Sequence, residues 1–71
     1  MIKVTEVVLN PNTMTAEVSL FADTKAEVGT TAVSDISGMP EGYTIAQASS
    51  VITASGELAF MKSDGTWNWL S

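Results

Sequence analysis

The chain contains no cysteine and no histidine. No disulfide can staple it, and the zinc sites built from those residues are excluded. The Ser-His and Cys-His pairs of nucleophilic catalysis cannot be assembled either. Basic residues are scarce: 3 Lys+Arg stand against 8 Asp+Glu, a formal net charge of −5. Lys3, Lys25 and Lys62 are scattered and form no patch. A phosphate backbone is bound by clustered cations, so nucleic acid is not an expected partner, and neither is an anionic membrane surface. No apolar run approaches the roughly 18 residues of a membrane span. The stretch after Met1 also lacks the basic leader, long apolar run and small-residue cleavage site of a signal peptide. A soluble protein made in a cytoplasm is the expectation.

At 71 residues the chain is one small domain. Such a domain removes only about 60% of its unfolded surface from water, and many of its size rely on disulfides, a metal or association. With cysteine and histidine absent, self-association is the stabilising device left.

What is present reads as strands and turns, and the expected class is an all-β, small antiparallel domain. Ile2 to Leu9 is β-branched and alternating, with Ile2, Val4 and Val8 on one face and Lys3, Thr5, Val7 and Leu9 on the other. Glu6 interrupts the first face. Asn10-Pro11-Asn12-Thr13 is a turn, because proline presets φ at its second position and asparagine tolerates the conformation that follows. Met14, Ala16, Val18 and Leu20 then alternate with Thr15, Glu17 and Ser19, which completes an N-terminal hairpin over residues 1–21.

Residues 22–50 lose the period and are rich in Ser, Thr, Ala and Gly. Asp23 is placed to cap a single helical turn over Thr24 to Val28, ended by Gly29, and an extended arm is the alternative. Residues 51–71 regain order as a three-stranded meander. SVITA, ELAFMKS and TWNWL are its strands, joined at Ser55-Gly56 and Asp64-Gly65. Asp64-Gly65 predicts a two-residue type I′ turn with both residues at positive φ. Trp67 and Trp69 are two apart, so on a strand they share a face.

No residues assemble into a recognisable catalytic, cofactor or metal motif, so no enzyme, cofactor or metal site is expected. Ser49, Ser50 and Ser63 read as solvated turn and surface serines, and Glu6, Glu17 and Glu57 as solvent-facing strand positions. Asp64-Gly65 lacks the further oxygen ligands of a calcium loop, and Gly38, Gly42 and Gly56 have no phosphate-loop spacing. The aromatic residues Tyr43, Phe60, Trp67 and Trp69 all lie in the C-terminal half. Core packing accounts for them, or a surface shared between subunits, where Tyr and Trp are enriched, or a strip on which sugars stack.

The segment GMPEGYTIAQASSVITASGELAFMKSDGTWNWL resembles a pattern in small structural proteins of tailed phages and prophages, the head-fibre and related virion appendage proteins. Gly42, Ile45 and Ala46 carry the approach, Ile52, Gly56 and Leu58 the strands, and Asp64, Gly65 and Trp67 the closing turn. The resemblance covers about half the chain. It implies a non-enzymatic structural protein that self-assembles, most often as a trimer, and attaches to a virion or assembly partner. It also implies a place in the virion, or in the host cytoplasm during assembly. The interface residues expected on this reading are Tyr43, Phe60, Trp67 and Trp69. A lesser resemblance, through Gly65-Thr66-Trp67, is to the aromatic repeats of cell-wall-binding modules. It implies a carbohydrate-binding β module, although those repeats come in tandem and this chain has one.

Overall fold

The computed structural model describes residues 1–70. Six strands form one mixed sheet: β1 (Ile2–Asn10), β2 (Thr15–Ala22), β3 (Thr44–Ile45), β4 (Ser50–Thr53), β5 (Leu58–Met61) and β6 (Trp67–Trp69). The order is β1-β2-β4-β5-β6, and β3 lies beside β2 in line with β4. The N-terminal hairpin and the C-terminal meander are both there, with antiparallel pairing within each. Their junction is parallel: β2 pairs with β3 and with β4 in the same direction. The sheet is therefore mixed where antiparallel pairing throughout was expected.

That junction explains the aperiodic middle of the chain. Two neighbouring parallel strands cannot be joined by a hairpin; the chain must cross over, which takes a dozen or more residues. The connection from Asp23 to Ser49 makes this crossing over one face of the sheet and seats Val28 and Ile36 against it. It carries the helical turn α1 (Lys25–Val28) and a 3₁₀ turn at Val33–Asp35. The helical turn begins one residue later than Asp23 capping would place it. Thr24 is the cap, its Oγ1 accepting from the Glu27 N–H, while the Glu27 carboxylate accepts from the Asp23 N–H at 3.4 Å. Gly29 ends the turn as expected.

The face under this crossover is the core. It is made by Ala16, Val18, Leu20 and Ala22 of β2, flanked by Ile2, Val51 and Ala59, and its side chains are small. The largest fully buried side chains are Val18, Val51 and Ser49. So thin a core holds little apolar area, and single contacts weigh heavily in the stability.

β1 departs from strict alternation. Val4 pairs with Leu20 and Glu6 with Ser19, so Thr5 is an extra residue, a β-bulge. Beyond the bulge the faces exchange. Val7 and Leu9 join Ile2 and Val4 on the core side, and Val8 turns to the open side with Glu6, the reverse of the expected assignment. The bulge resolves the interruption at Glu6 by sending the carboxylate to solvent.

Turn chemistry differs from expectation at three places. Only Gly65 of the Asp64-Gly65 pair has positive φ, at 86°. The loop has three residues, Ser63 to Gly65, closed by Gly65 N–H to Lys62 O at 3.1 Å and Lys62 N–H to Thr66 O at 2.8 Å. This is a turn followed by a left-handed glycine, the common three-residue hairpin loop. Thr53 to Glu57 repeats it, with Gly56 in the same role. At the first hairpin the left-handed residue is Met14, with φ 54°, so β2 starts at Thr15.

The third case is Ala48, whose φ of 73° lies in the region that favours glycine. It is exposed and ends the short detour between β3 and β4. Ala48→Gly should therefore stabilise the domain by about 0.5–1 kcal/mol, because it removes a steric penalty and no packing. In a domain of this size that is a rise in Tm of roughly 2–8 °C, readable by thermal unfolding. An unchanged or lower Tm would mean that alanine is not strained there.

Candidate interaction surface

Of the four aromatic residues expected to act together, three lie on the core side. Trp67 and Trp69 stand opposite Met61 and Ala59 of β5 and are half-buried against the core, as is Tyr43. The Lys25 ammonium sits 4.8 Å from the centre of the Trp69 ring, a cation–π contact that pins α1 over the end of the sheet. Phe60 is alone on the other face, opposite Ser50 and Asn68. The four do not form one surface. The paired tryptophans near the end of the chain close the edge of their own core.

A cleft of about 370 Å³ opens between the sheet and the crossover, lined by Leu20, Val28, Ile36, Ile45, Met61 and Trp67 among others. Its lining is apolar apart from Thr31, Thr66 and the backbone of Gly29 and Gly65. The Thr66 hydroxyl is already held by Asp64 Oδ1 at 2.7 Å. Ligand sites need a few placed polar groups to orient what they bind, and this cleft offers little of that. Among the described residues no three Asp or Glu side chains come together as a metal group.

The serines divide. Ser63 is exposed, as expected, but Ser49 is fully buried, which overturns its reading as a solvated residue. Its Oγ accepts from the Val18 N–H at 3.0 Å and lies 3.5 Å from the Ala16 carbonyl, to which it donates. It fills the gap where β3 has ended and β4 has not begun. Glu6 and Glu17 are exposed and Glu57 is half-buried, bonded to the Thr53 hydroxyl at 3.1 Å.

The titratable groups with displaced pKa values are at the surface. The Asp64 carboxyl is held below the usual carboxylate range by hydrogen bonds from the Thr66 hydroxyl and N–H. The sign follows: this contribution is present above the unfolded carboxylate value and fades as pH falls through the lower folded one. The Met1 ammonium, between Asp23 and Glu27 at 2.7 and 2.8 Å, is raised by its bonds to those carboxylates. Neither group lines the cleft.

The apolar surface lies elsewhere. On the open face Phe21 pairs with Ile52 and Ile52 with Leu58, with Phe60 alongside, so a row of large side chains crosses β2, β4 and β5. Ile52 and Phe60 are 47% and 40% exposed. Lys3 stands at its margin, with Nζ 5.7 Å from the centre of the Phe21 ring. At the distal end of β1, Val7, Val8 and Leu9 are 42%, 68% and 48% exposed. Alternation in the sequence groups Val8 with Ile2 and Val4 and sets Val7 and Leu9 on the opposite face, and it names none of the three as a contact residue. The break in alternation at Glu6 was the signal that a bulge exchanges the faces. No family model matches the chain, and no curated protein or solved structure was found that matches it.

Proposed function

We propose that this protein is a non-enzymatic structural module that works by assembly. Its copies associate through apolar sheet surface, and the assembly then attaches to another component, in the manner of the virion appendage proteins of tailed phages that its C-terminal half resembles. The observation that carries the reading is the exposed apolar surface of the sheet: Ile52 and Phe60 on the open face, and Val7 to Leu9 at the end of β1. Contiguous patches of this kind mark interaction surfaces, and a domain with so small a core gains from covering them. A net charge of −5 keeps the single chain soluble until it finds its partner.

A sugar-stacking reading needs indole faces open to solvent, and the Trp69 ring is already covered by Lys25. Assembly is therefore the better account. Sedimentation equilibrium at tens of micromolar should show an oligomer, and a monomer would overturn the proposal. Attachment is tested separately, by whether the protein co-purifies with virus particles produced from the same genome.

A further inference from the structure

We infer that two copies pair along the free edge of β1, antiparallel and centred on Val8, so that one sheet runs through both. This inference rests on the assembly reading and names its surface and its partner, a second copy of the chain.

The backbone directions follow from β2. The carbonyls of Met14, Ala16 and Ala22 accept from Thr44, Ala46 and Ala54, and the Val18 N–H donates to Ser49. The even residues of β2 thus turn their backbone groups away from β1. The odd residues face β1, where Thr15, Glu17, Ser19 and Phe21 meet Asn10, Val8, Glu6 and Lys3. Val7 and Leu9 are the residues in between, and their N–H and C=O groups point outward along the edge. Nearer the start of the strand the outward groups are already taken: Ile2 O accepts from Ser37 N–H and Val4 N–H donates to Ser37 O, both at 2.9 Å. The free window runs from the bulge at Thr5 to Asn10, and Pro11, which has no N–H, closes it.

Within that window the register is selected. With the two-fold axis at Val8, Val7 meets Leu9 of the second copy on each side of the axis. Each such pair exchanges both backbone bonds. A shift to Val7 would require the distorted backbone at Thr5, and a shift to Leu9 would set Val7 against proline. Centred on Val8, Glu6 falls opposite Asn10 rather than another carboxylate, so like charges do not face each other. The same contact covers all three exposed side chains: Val8 meets Val8 on the open face, and Val7 meets Leu9 on the core side. Between the bulge and Asn10 this edge carries neither the lysine nor the proline that blunts most free strands. The arrangement is isologous and closes at two copies, where the resemblance to virion appendages implies three.

The test uses the full chain at tens of micromolar. The unmodified protein should sediment as a dimer, with the Val7 and Leu9 amides protected from hydrogen exchange and exposed again on dilution. Val8→Lys places two ammonium groups across the axis and should give a monomer with an unchanged far-UV spectrum, since Val8 makes no core contact. A monomeric unmodified chain would overturn both the pairing and the assembly reading. An oligomer that survives Val8→Lys, or one whose Val7 and Leu9 amides exchange freely, would overturn the pairing alone and move the contact to the open face. The exchange pattern decides even if the variant does not fold.

Discussion

Ser49→Ala should destabilise this domain by about 1–3 kcal/mol, more than a single buried hydroxyl usually carries. Alanine leaves almost no cavity, so the loss is one of hydrogen bonding. The Val18 N–H sits in an interior strand, at a point where no backbone carbonyl reaches it, and the Ser49 Oγ at 3.0 Å accepts its bond. Without that oxygen the amide stays buried beside a fully enclosed Val18 backbone, with no route for water to replace the bond. At 0.05–0.15 kcal/mol per residue the whole domain is worth roughly 4–10 kcal/mol, so the change removes a sizeable share. Ser50→Ala, one residue on and half-buried in β4, should stay within about 0.5 kcal/mol. Urea titrations of the two variants give the answer, because the Ser49 change should lower the midpoint and leave the slope alone. Equal midpoints would show that the amide finds another partner.

The same residue shows where sequence reading ends. Hairpin and meander were legible because they are built from local signals: alternation in Thr15 to Leu20, and glycines at Gly56 and Gly65 between apolar runs. The parallel seam between β2 and β4 was not. It depends on a pairing between residues some thirty apart, such as Leu20 with Val51, and nothing local to either strand announces it. Once the seam exists, Ser49 must satisfy Val18, and the Ser/Thr/Ala/Gly-rich middle must cross the core face. A buried serine that completes a sheet and a solvated turn serine have the same one-letter context. That the core is small is legible in length and composition; which apolar side chains stay outside it is not. Aromatic content alone does not separate the half-buried Tyr43, Trp67 and Trp69 from the exposed Phe60. Trp67 and Trp69 pack half-buried against the core, whereas Ile52 and Phe60 are exposed on the open face and Val7, Val8 and Leu9 at the end of β1.

Replacing Trp67 and Trp69 together by alanine should unfold the chain at 25 °C. The two indoles share the core side of the last strand and lie over Met61 and Ala59, where the core has few other large side chains to offer. A fully buried Trp→Ala change costs about 3–5 kcal/mol; for half-buried rings about 2 kcal/mol each is the expected scale. The double change then approaches the lower bound of the stability available to a domain of this length, about 4 kcal/mol. Trp69 also anchors α1 through Lys25, so its loss loosens the crossover that seats Val28 and Ile36 on the sheet. The rings are neighbours on one face, so the double change is not the simple sum of the two singles. Each single variant should remain folded with a lowered Tm. The double variant should lose its strand signal in far-UV circular dichroism at every protein concentration tried. An alternative role, in which the tryptophans serve only a contact between subunits, predicts a folded monomer instead. A double variant that keeps its β spectrum while its mass falls to one chain would place the tryptophans at that contact and leave the core to close without them.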